Sequence, residues 1–139
     1  MTSGRAVLVD SNILLDILLP DPVWEEWSSS ALIDAAESSL LVINPIVFAE
    51  VSIAFDRIED LEVALPDELR REPLPWDAAF LAGKVFVVYR RRGGTRTSPL
   101  PDFLIGAHAA VREYDLLTRD TARYRTYFPS LRLIAPSHS

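Results

Sequence analysis

The sequence predicts an α/β fold, a three-layer sandwich in which a mainly parallel central sheet of four to five strands is flanked by helices. Short apolar runs alternate along the chain with longer segments of helical periodicity, and this alternation is typical of β–α–β units. The first two runs are unbroken by polar residues, as expected of strands that are buried on both faces. With 139 residues, of which 49% are hydrophobic, the chain is predicted to form one domain, 1–139, with a sizeable core.

Residues that favour helix starts and ends divide the chain into elements. The predicted strands are 6–9, 40–43, 116–118 and 131–135. The predicted helices are 13–19, 22–38, 45–58, 58–71, 76–92, 101–114 and 121–127. Asp21-Pro22 and Asn44-Pro45 each pair an N-cap residue with a proline at the first helical position. Asp115 is placed in the turn before the third strand.

The composition excludes several classes of site. The chain has no cysteine, which excludes disulfides, thiolate metal sites and a cysteine nucleophile. His108 and His138 are the only histidines, so a histidine-rich zinc site is disfavoured and any metal would be held by oxygen ligands. The sequence shows no apolar run of about 20 residues and no signal-peptide pattern at its start. We therefore expect a cytoplasmic protein that makes no membrane contact.

Basic residues are clustered although the formal net charge is −6. This charge argues against nucleic-acid binding through the overall electrostatic field. One group comprises Arg90, Arg91, Arg92 and Arg96, and a second comprises Arg119, Arg123 and Arg125. Each group is either a solvated helix end or face, or a local patch that contacts phosphates.

Asp10, Ser11 and Asn12 follow the first predicted strand directly. One interpretation is that they cap the next helix, because their side chains accept hydrogen bonds from free backbone amides. The other is that Asp10 lies in the ligand crevice, which open α/β sheets place at the carboxyl ends of their strands. Three further acidic residues favour the second interpretation.

Glu50 lies in the middle of an apolar helix stripe. Its neighbours three and four positions away on the predicted helix are Ile46, Val47, Ile53 and Ala54. An unpaired charge buried there costs several kcal/mol, so Glu50 either faces a cleft or is a core glutamate satisfied by a nearby arginine.

Asp102 and Asp120 have local explanations that compete with a functional one. Asp102 lies in the first turn of its predicted helix, where the helix dipole favours an acid. Asp120 follows the third predicted strand and either caps the next helix or faces the crevice. In a parallel sheet, the strand ends and helix starts that carry all four acids meet at one edge, so the acids can converge.

A cluster of carboxylates indicates a bound cation, because close like charges repel by up to a few kcal/mol per pair. Oxygen ligands without histidine or cysteine favour Mg²⁺, with Mn²⁺ as the second choice. A pair of such ions can generate hydroxide and stabilise both oxygens of an in-line phosphoryl displacement. The predicted ligands are Asp10, Glu50, Asp102 and Asp120.

The four acids stand in short motifs whose order and spacing are specific as a set. The motifs are Val9-Asp10-Ser11-Asn12, Phe48-Ala49-Glu50-Val51, Asp102-Phe103-Leu104-Ile105-Gly106-Ala107-His108-Ala109 and Leu117-Thr118-Arg119-Asp120. This ordered set closely resembles the PIN-domain ribonucleases. Over nearly its whole length the chain is similar to the VapC-type toxins of bacterial toxin–antitoxin pairs. It departs from their pattern where Asp115 occupies a turn that is often glycine.

The resemblance implies a Mg²⁺-dependent endoribonuclease that cleaves RNA phosphodiester bonds, is usually dimeric and is blocked by a small cognate antitoxin. It assigns the catalytic acidic set to Asp10, Glu50, Asp102 and Asp120. It matches Ser11, Asn12 and Thr118 to polar positions that line the site. The second basic group follows the strand that delivers Asp120, so we expect its arginines to contact RNA phosphates.

The main alternative is an inactive PIN-like module that binds RNA or an antitoxin without cleavage. The presence of all four acids argues against it, because an inactive site has no physical need for carboxylates that repel one another. A haloacid dehalogenase phosphatase would have a second aspartate where Asn12 stands. A response-regulator receiver needs a lysine late in the sheet, whereas the only lysine, Lys84, lies in a predicted helix.

Overall fold

A parallel sheet forms the centre of the structure, a computed structural model that describes residues 5–137. Its strands are β1 (Val7–Val9), β2 (Leu41–Ile43), β3 (Leu69–Arg71), β4 (Asp115–Leu117) and β5 (Leu133–Ile134). All five are parallel and lie in the order β3-β2-β1-β4-β5, which confirms the predicted α/β fold. Residues 1–4 and 138–139 of the predicted domain, and with them His138, lie outside the described residues.

Seven helices in the described part of the chain flank the sheet. They are α1 (Ser11–Leu18), α2 (Glu25–Ser38), α3 (Pro45–Ser52), α4 (Ile58–Ala64), α5 (Trp76–Arg91), α6 (Pro101–Arg112) and α7 (Ala122–Tyr127). Asp10 and Asn44 occupy the N-cap positions of α1 and α3, and both side chains accept a hydrogen bond from a backbone amide of their helix. Between residues 5 and 137, no helix is long and apolar enough to cross a membrane.

The topology opens a crevice between β1 and β4. β1 continues through α1 and α2 to β2 on one side, whereas β4 continues through α7 to β5 on the other side. Connections that leave neighbouring strands in opposite directions create a crevice at the carboxyl ends of those strands, where such sheets bind ligands. The pairing of Val9 with Leu117 places Asp10 and Thr118 side by side at this crevice.

Two strand predictions were wrong. Residues 69–71, expected in a charged helix, form β3, because their backbone pairs in register with β2 and this tertiary pairing overrides local propensity. Asp115 begins β4 and does not form a turn. Its carboxylate accepts a hydrogen bond from the Arg5 guanidinium at 2.8 Å, which stabilises an acid in a strand position.

Helix boundaries also differ from the predictions, and α4 ends at Ala64 and not at residue 71. α2 begins at Glu25 and not at Pro22, because the Asp21 carboxylate accepts hydrogen bonds from two following amides at 2.8 and 2.9 Å and closes a separate turn. α3 ends at Ser52 and not at residue 58. Directly after Ser52, the amides of residues 54 and 55 donate to carbonyls three positions back, which is the pattern of a turn and not of an α-helix.

Helix α6 makes a close approach to the end of α7. A Cβ atom at Gly106 would lie 2.6 Å from the Phe128 ring, so only glycine fits where the helix passes this side chain. Ala107 and Ala109, on the same helix, are fully buried. This packing fixes the first turn of α6, which carries Asp102.

Candidate active site at the carboxyl ends of β1 and β4

Asp10 is the most buried acid of the crevice, with 3% of its surface exposed. Its Oδ2 accepts hydrogen bonds from the hydroxyls of Thr118 and Tyr124, both at 2.9 Å, and from the Asn12 amide at 3.4 Å. Its Oδ1 accepts one from the Ser11 backbone amide at 2.8 Å. A carboxylate oxygen has two lone-pair sites, so Oδ2 is saturated and Oδ1 keeps one site for a further ligand.

Burial raises the pKa of Asp10 to about 6, although the hydrogen bonds from Tyr124 and Thr118 oppose the shift. The nearby Asp102 carboxylate raises this pKa further. All four donors that contact Asp10 are neutral groups. The carboxylate therefore lacks a compensating positive charge, which a cation at Oδ1 would supply.

Glu50 extends from α3 towards the start of α1. It accepts a hydrogen bond from the Ser11 hydroxyl at 2.8 Å, so its partner is a cleft residue and not the arginine of the alternative interpretation. Its side chain is partly buried, and burial raises its pKa, with a further contribution from the negative charge of Asp102. Glu50 therefore faces the crevice.

The Asp102 carboxylate interacts electrostatically with each of the other three acids. Burial raises its pKa, the neighbouring Arg123 lowers it, and Asp120 raises it again. The Arg123 guanidinium donates to Asp102 Oδ2 at 3.4 Å. Asp120 is exposed, and Thr121, not Asp120, occupies the N-cap position of α7. The helix-cap interpretation of Asp120 is therefore wrong.

The donor set fits a hydrated hard cation better than a fully dehydrated one. Within residues 5–137, no three Asp, Glu or His side chains stand together as a complete ligand set. Mg²⁺, however, keeps several waters and usually binds through one or two carboxylates. The buried Asp10 and the partly buried Asp102, which interact electrostatically, meet that requirement.

The predicted polar residues connect α1 to the end of β4. The Asn12 amide donates to the Thr118 hydroxyl at 3.2 Å, and its oxygen accepts from the Arg119 backbone amide at 3.3 Å. Ser11 joins the network through Glu50. These contacts fix the two elements that form the walls of the crevice.

The three arginines of the second basic group have different surroundings. Arg119 binds Asp16 through two nitrogens, at 2.7 and 3.0 Å, so its guanidinium is already engaged. Arg123 pairs with Asp102 at the crevice, with 44% of its side chain exposed. Arg125 is exposed on α7. Only the last two have charge available for a phosphate.

Sequence reasoning missed Tyr124 and Asp16. Tyr124 is buried on α7, and its hydroxyl holds Asp10, yet only its position one helical turn after Asp120 pointed to the crevice. Asp16, on α1, is also buried and accepts hydrogen bonds from Ser28 and Arg119. Its place in an apolar segment was the available signal.

A buried network behind the crevice was also missed. The Asn44 amide lies 3.0 Å from His108 Nδ1, and His108 Nε2 lies 3.2 Å from the Glu72 carboxylate. The Tyr114 hydroxyl donates to the same carboxylate at 2.6 Å. Burial lowers the pKa of His108, so the imidazole is neutral. The network joins α3 to α6, the helices that carry Glu50 and Asp102.

One family model, described as the PIN domain, matches residues 7–129. VapBC2 from Rickettsia felis, solved with a promoter DNA fragment, is similar with 19% identity and a TM-score of 0.75, covering 96% of this chain and 100% of that chain. FitAcB from Neisseria gonorrhoeae is similar with 19% identity and a TM-score of 0.70, covering 92% and 96%. A toxin–antitoxin complex from Klebsiella pneumoniae is similar with 22% identity and a TM-score of 0.61, covering 86% and 90%. The search of curated proteins gave no match.

Proposed function

Because the chain belongs to the PIN domain family, we propose that it is a metal-dependent endoribonuclease and the toxin of a toxin–antitoxin pair. The observation that carries the proposal is Asp10, a buried carboxylate held only by neutral donors and repelled by a second, partly buried acid, Asp102. Such an arrangement destabilises the empty site and favours a bound cation.

In the proposed reaction, Asp10 and Asp102 would hold Mg²⁺, or Mn²⁺ as a substitute, and Glu50 and Asp120 would complete the acidic set. A metal held there would supply hydroxide at neutral pH and would neutralise charge on the phosphate. Tyr124 and Thr118 both donate to Oδ2 of Asp10, which leaves Oδ1 with a site for the cation. Ser11 orients Glu50 towards the crevice.

The likeness to toxin–antitoxin complexes supports the proposed partners. A small cognate antitoxin would cover the crevice. We further propose that the chain forms one domain, residues 1–139, and that two copies form a homodimer in the cytoplasm. The similar structure from Klebsiella pneumoniae is a toxin–antitoxin complex.

An inactive RNA-binding or antitoxin-binding module remains the competing proposal. Under this proposal, a buried Asp10 carboxylate without a positive partner would lower the stability of the folded protein, and its charge would have no role in binding a cation. The two proposals differ in one measurable property, metal-dependent cleavage.

The decisive experiment is cleavage of single-stranded RNA by the purified protein in Mg²⁺ and in chelator. Asp10→Asn and Asp102→Asn should each lower the rate at least ~100-fold, as removal of a main electrostatic contributor does. Asp34→Asn, which removes an exposed acid on α2, is the matched control and should cleave normally. Full activity in a folded Asp10→Asn protein, or equal rates with and without metal, would refute the proposal.

A further inference from the structure

The first basic group of the sequence is folded against the C-terminus of α5. Arg90 donates to the carbonyl oxygens of Gly94 and Arg96 at 3.2 and 2.9 Å. The Tyr89 hydroxyl accepts hydrogen bonds from the amides of Thr95 and Arg96, both at 3.2 Å. These contacts tether the loop to the helix, so the backbone of Arg96 stays next to Tyr89.

Tyr89 lines a cavity between α5, α6 and α7 that continues the acidic crevice. The cavity has a volume of about 390 Å³, within the range of ligand-binding pockets. Asp102 and Asp120 lie in its wall, and the rest of the lining is formed by α7 residues, namely Ala122, Arg123, Thr126 and Tyr127. A strand of substrate that leaves the acids would therefore enter this cavity.

The rings of Tyr89 and Tyr127 line the cavity, and the fully buried Phe103 packs against both of them. The ring centroids of Tyr89 and Phe103 are 5.5 Å apart, and those of Phe103 and Tyr127 are 5.2 Å apart. The exposed Arg92 places its guanidinium 5.4 Å above the Tyr127 ring. Aromatic rings and guanidinium planes are the surfaces on which proteins stack unpaired RNA bases.

We propose that single-stranded RNA crosses this cavity next to the cleaved bond, with a base against Tyr127 and Arg92 and a neighbouring phosphate against Arg96. The inference rests on the proposed nuclease function and adds where the substrate lies. It assigns a role to the first basic group, which the acidic site does not use. An acidic peptide would need the arginines but not the aromatic rings, so the combination favours RNA.

The test is binding of a fluorescent single-stranded RNA of about ten nucleotides in chelator, where no cleavage occurs. Tyr127→Leu should weaken binding by about 5- to 150-fold, the effect of losing one base–aromatic contact, with little change in salt dependence. Arg92→Gln should weaken binding because a stacking contact is lost. Arg96→Gln should weaken binding and reduce the salt slope by about 0.7, because one phosphate contact is lost. Arg57→Gln, which removes an exposed charge before α4, is the matched control and should change neither.

Arg92 is exposed, so its variant keeps the test valid even if Tyr127→Leu proves unstable. Wild-type affinity in Arg92→Gln and in a folded Tyr127→Leu protein, or no RNA binding by the wild type, would overturn the inference. Wild-type cleavage with unchanged variant affinities would leave the nuclease proposal intact. RNA binding that depends on Tyr127 and Arg92, without cleavage in Mg²⁺, would support the inference and refute the nuclease proposal.

Discussion

Helix α1 carries a buried aspartate near each end, and the two differ in how their charge is compensated. Asp10 and Asp16 are both 3% exposed. Asp16 receives two hydrogen bonds from the Arg119 guanidinium and one from the Ser28 hydroxyl at 2.7 Å. Asp10 receives hydrogen bonds from neutral donors only, and its pKa is raised to about 6.

The difference separates a structural acid from a candidate functional one. A buried carboxylate with a bidentate arginine holds two distant elements together, here α1 and the segment after β4. A buried carboxylate without a positive partner costs free energy in the folded protein, which a bound cation can offset. Burial alone does not distinguish these roles, whereas the charge of the hydrogen-bond donors does.

The largest expected effect on stability comes from Asp16. Asp16→Asn should lower the free energy of unfolding by about 3 kcal/mol, because it removes one partner of a buried ion pair. For a chain of this size, the melting temperature should fall by roughly 10 °C. Adding Arg119→Gln to this variant should recover part of the loss in a double-mutant cycle. A shift below about 2 °C would show that the ion pair contributes little.

Asp10→Asn should raise the free energy of unfolding of the metal-free protein, whereas Asp16→Asn lowers it. The wild-type pKa of about 6 exceeds the ordinary value of 3.8, so the folded state binds more protons between these pH values, and stability is lost as the pH rises through this window. Above pH 6 the variant should therefore be more stable by up to about 3 kcal/mol. Melting curves from pH 4 to 8 in chelator measure the divergence; parallel curves would contradict it.

Metal addition should distinguish the two aspartates directly. A cation that binds only the folded state stabilises it by about 2.7 kcal/mol at a hundred times its dissociation constant. Millimolar Mg²⁺ or Mn²⁺ should therefore raise the melting temperature of the wild type by several degrees, and chelator should reverse the shift. Asp16→Asn should retain this increase and Asp10→Asn should lose it. An equal increase in both variants would place the metal elsewhere.

The smallest expected effect comes from Tyr124→Phe, which keeps the ring and removes one neutral donor from Asp10. Loss of a hydrogen bond to a buried carboxylate should lower stability by about 1.5 kcal/mol in chelator at pH 8. Tyr127→Phe, which removes the same atom from a partly buried ring, is the control and should change stability less. Equal melting temperatures for Tyr124→Phe and the wild type would mean that the Tyr124 hydroxyl does not stabilise Asp10.

The elements that sequence could predict are those with local signals. The strand before Asp10 is an unbroken apolar run, and Asn44-Pro45 marks the start of α3 by capping chemistry. β3 lacks such a signal, because two of its three residues are exposed arginines and its conformation follows from pairing with β2. Strand pairing at a sheet edge is a tertiary property that a local window does not contain.

The same distinction applies to the acids. The sequence singles out Asp10 and Glu50 because each interrupts an apolar pattern, Asp10 after the first strand and Glu50 within the helix that follows the second strand. The partners that decide their chemistry are remote: Arg119 lies 103 positions from Asp16, and Tyr124 lies 114 positions from Asp10. Such pairs are set by the adjacency of β1 and β4, so the sequence alone does not show which buried acid has a positively charged partner.

The adjacency of β1 and β4 also orders events during synthesis. A ribosome releases Asp10 first, but the hydroxyls of Thr118 and Tyr124 that enclose it follow more than a hundred residues later. Closing so long a loop carries a large entropy cost and belongs to the late steps of folding. Until α7 has emerged, Asp10 lacks the Tyr124 hydroxyl that helps to enclose it. Under the proposed function, we expect a partly translated polypeptide to leave the RNA around it uncut, including the message that encodes it.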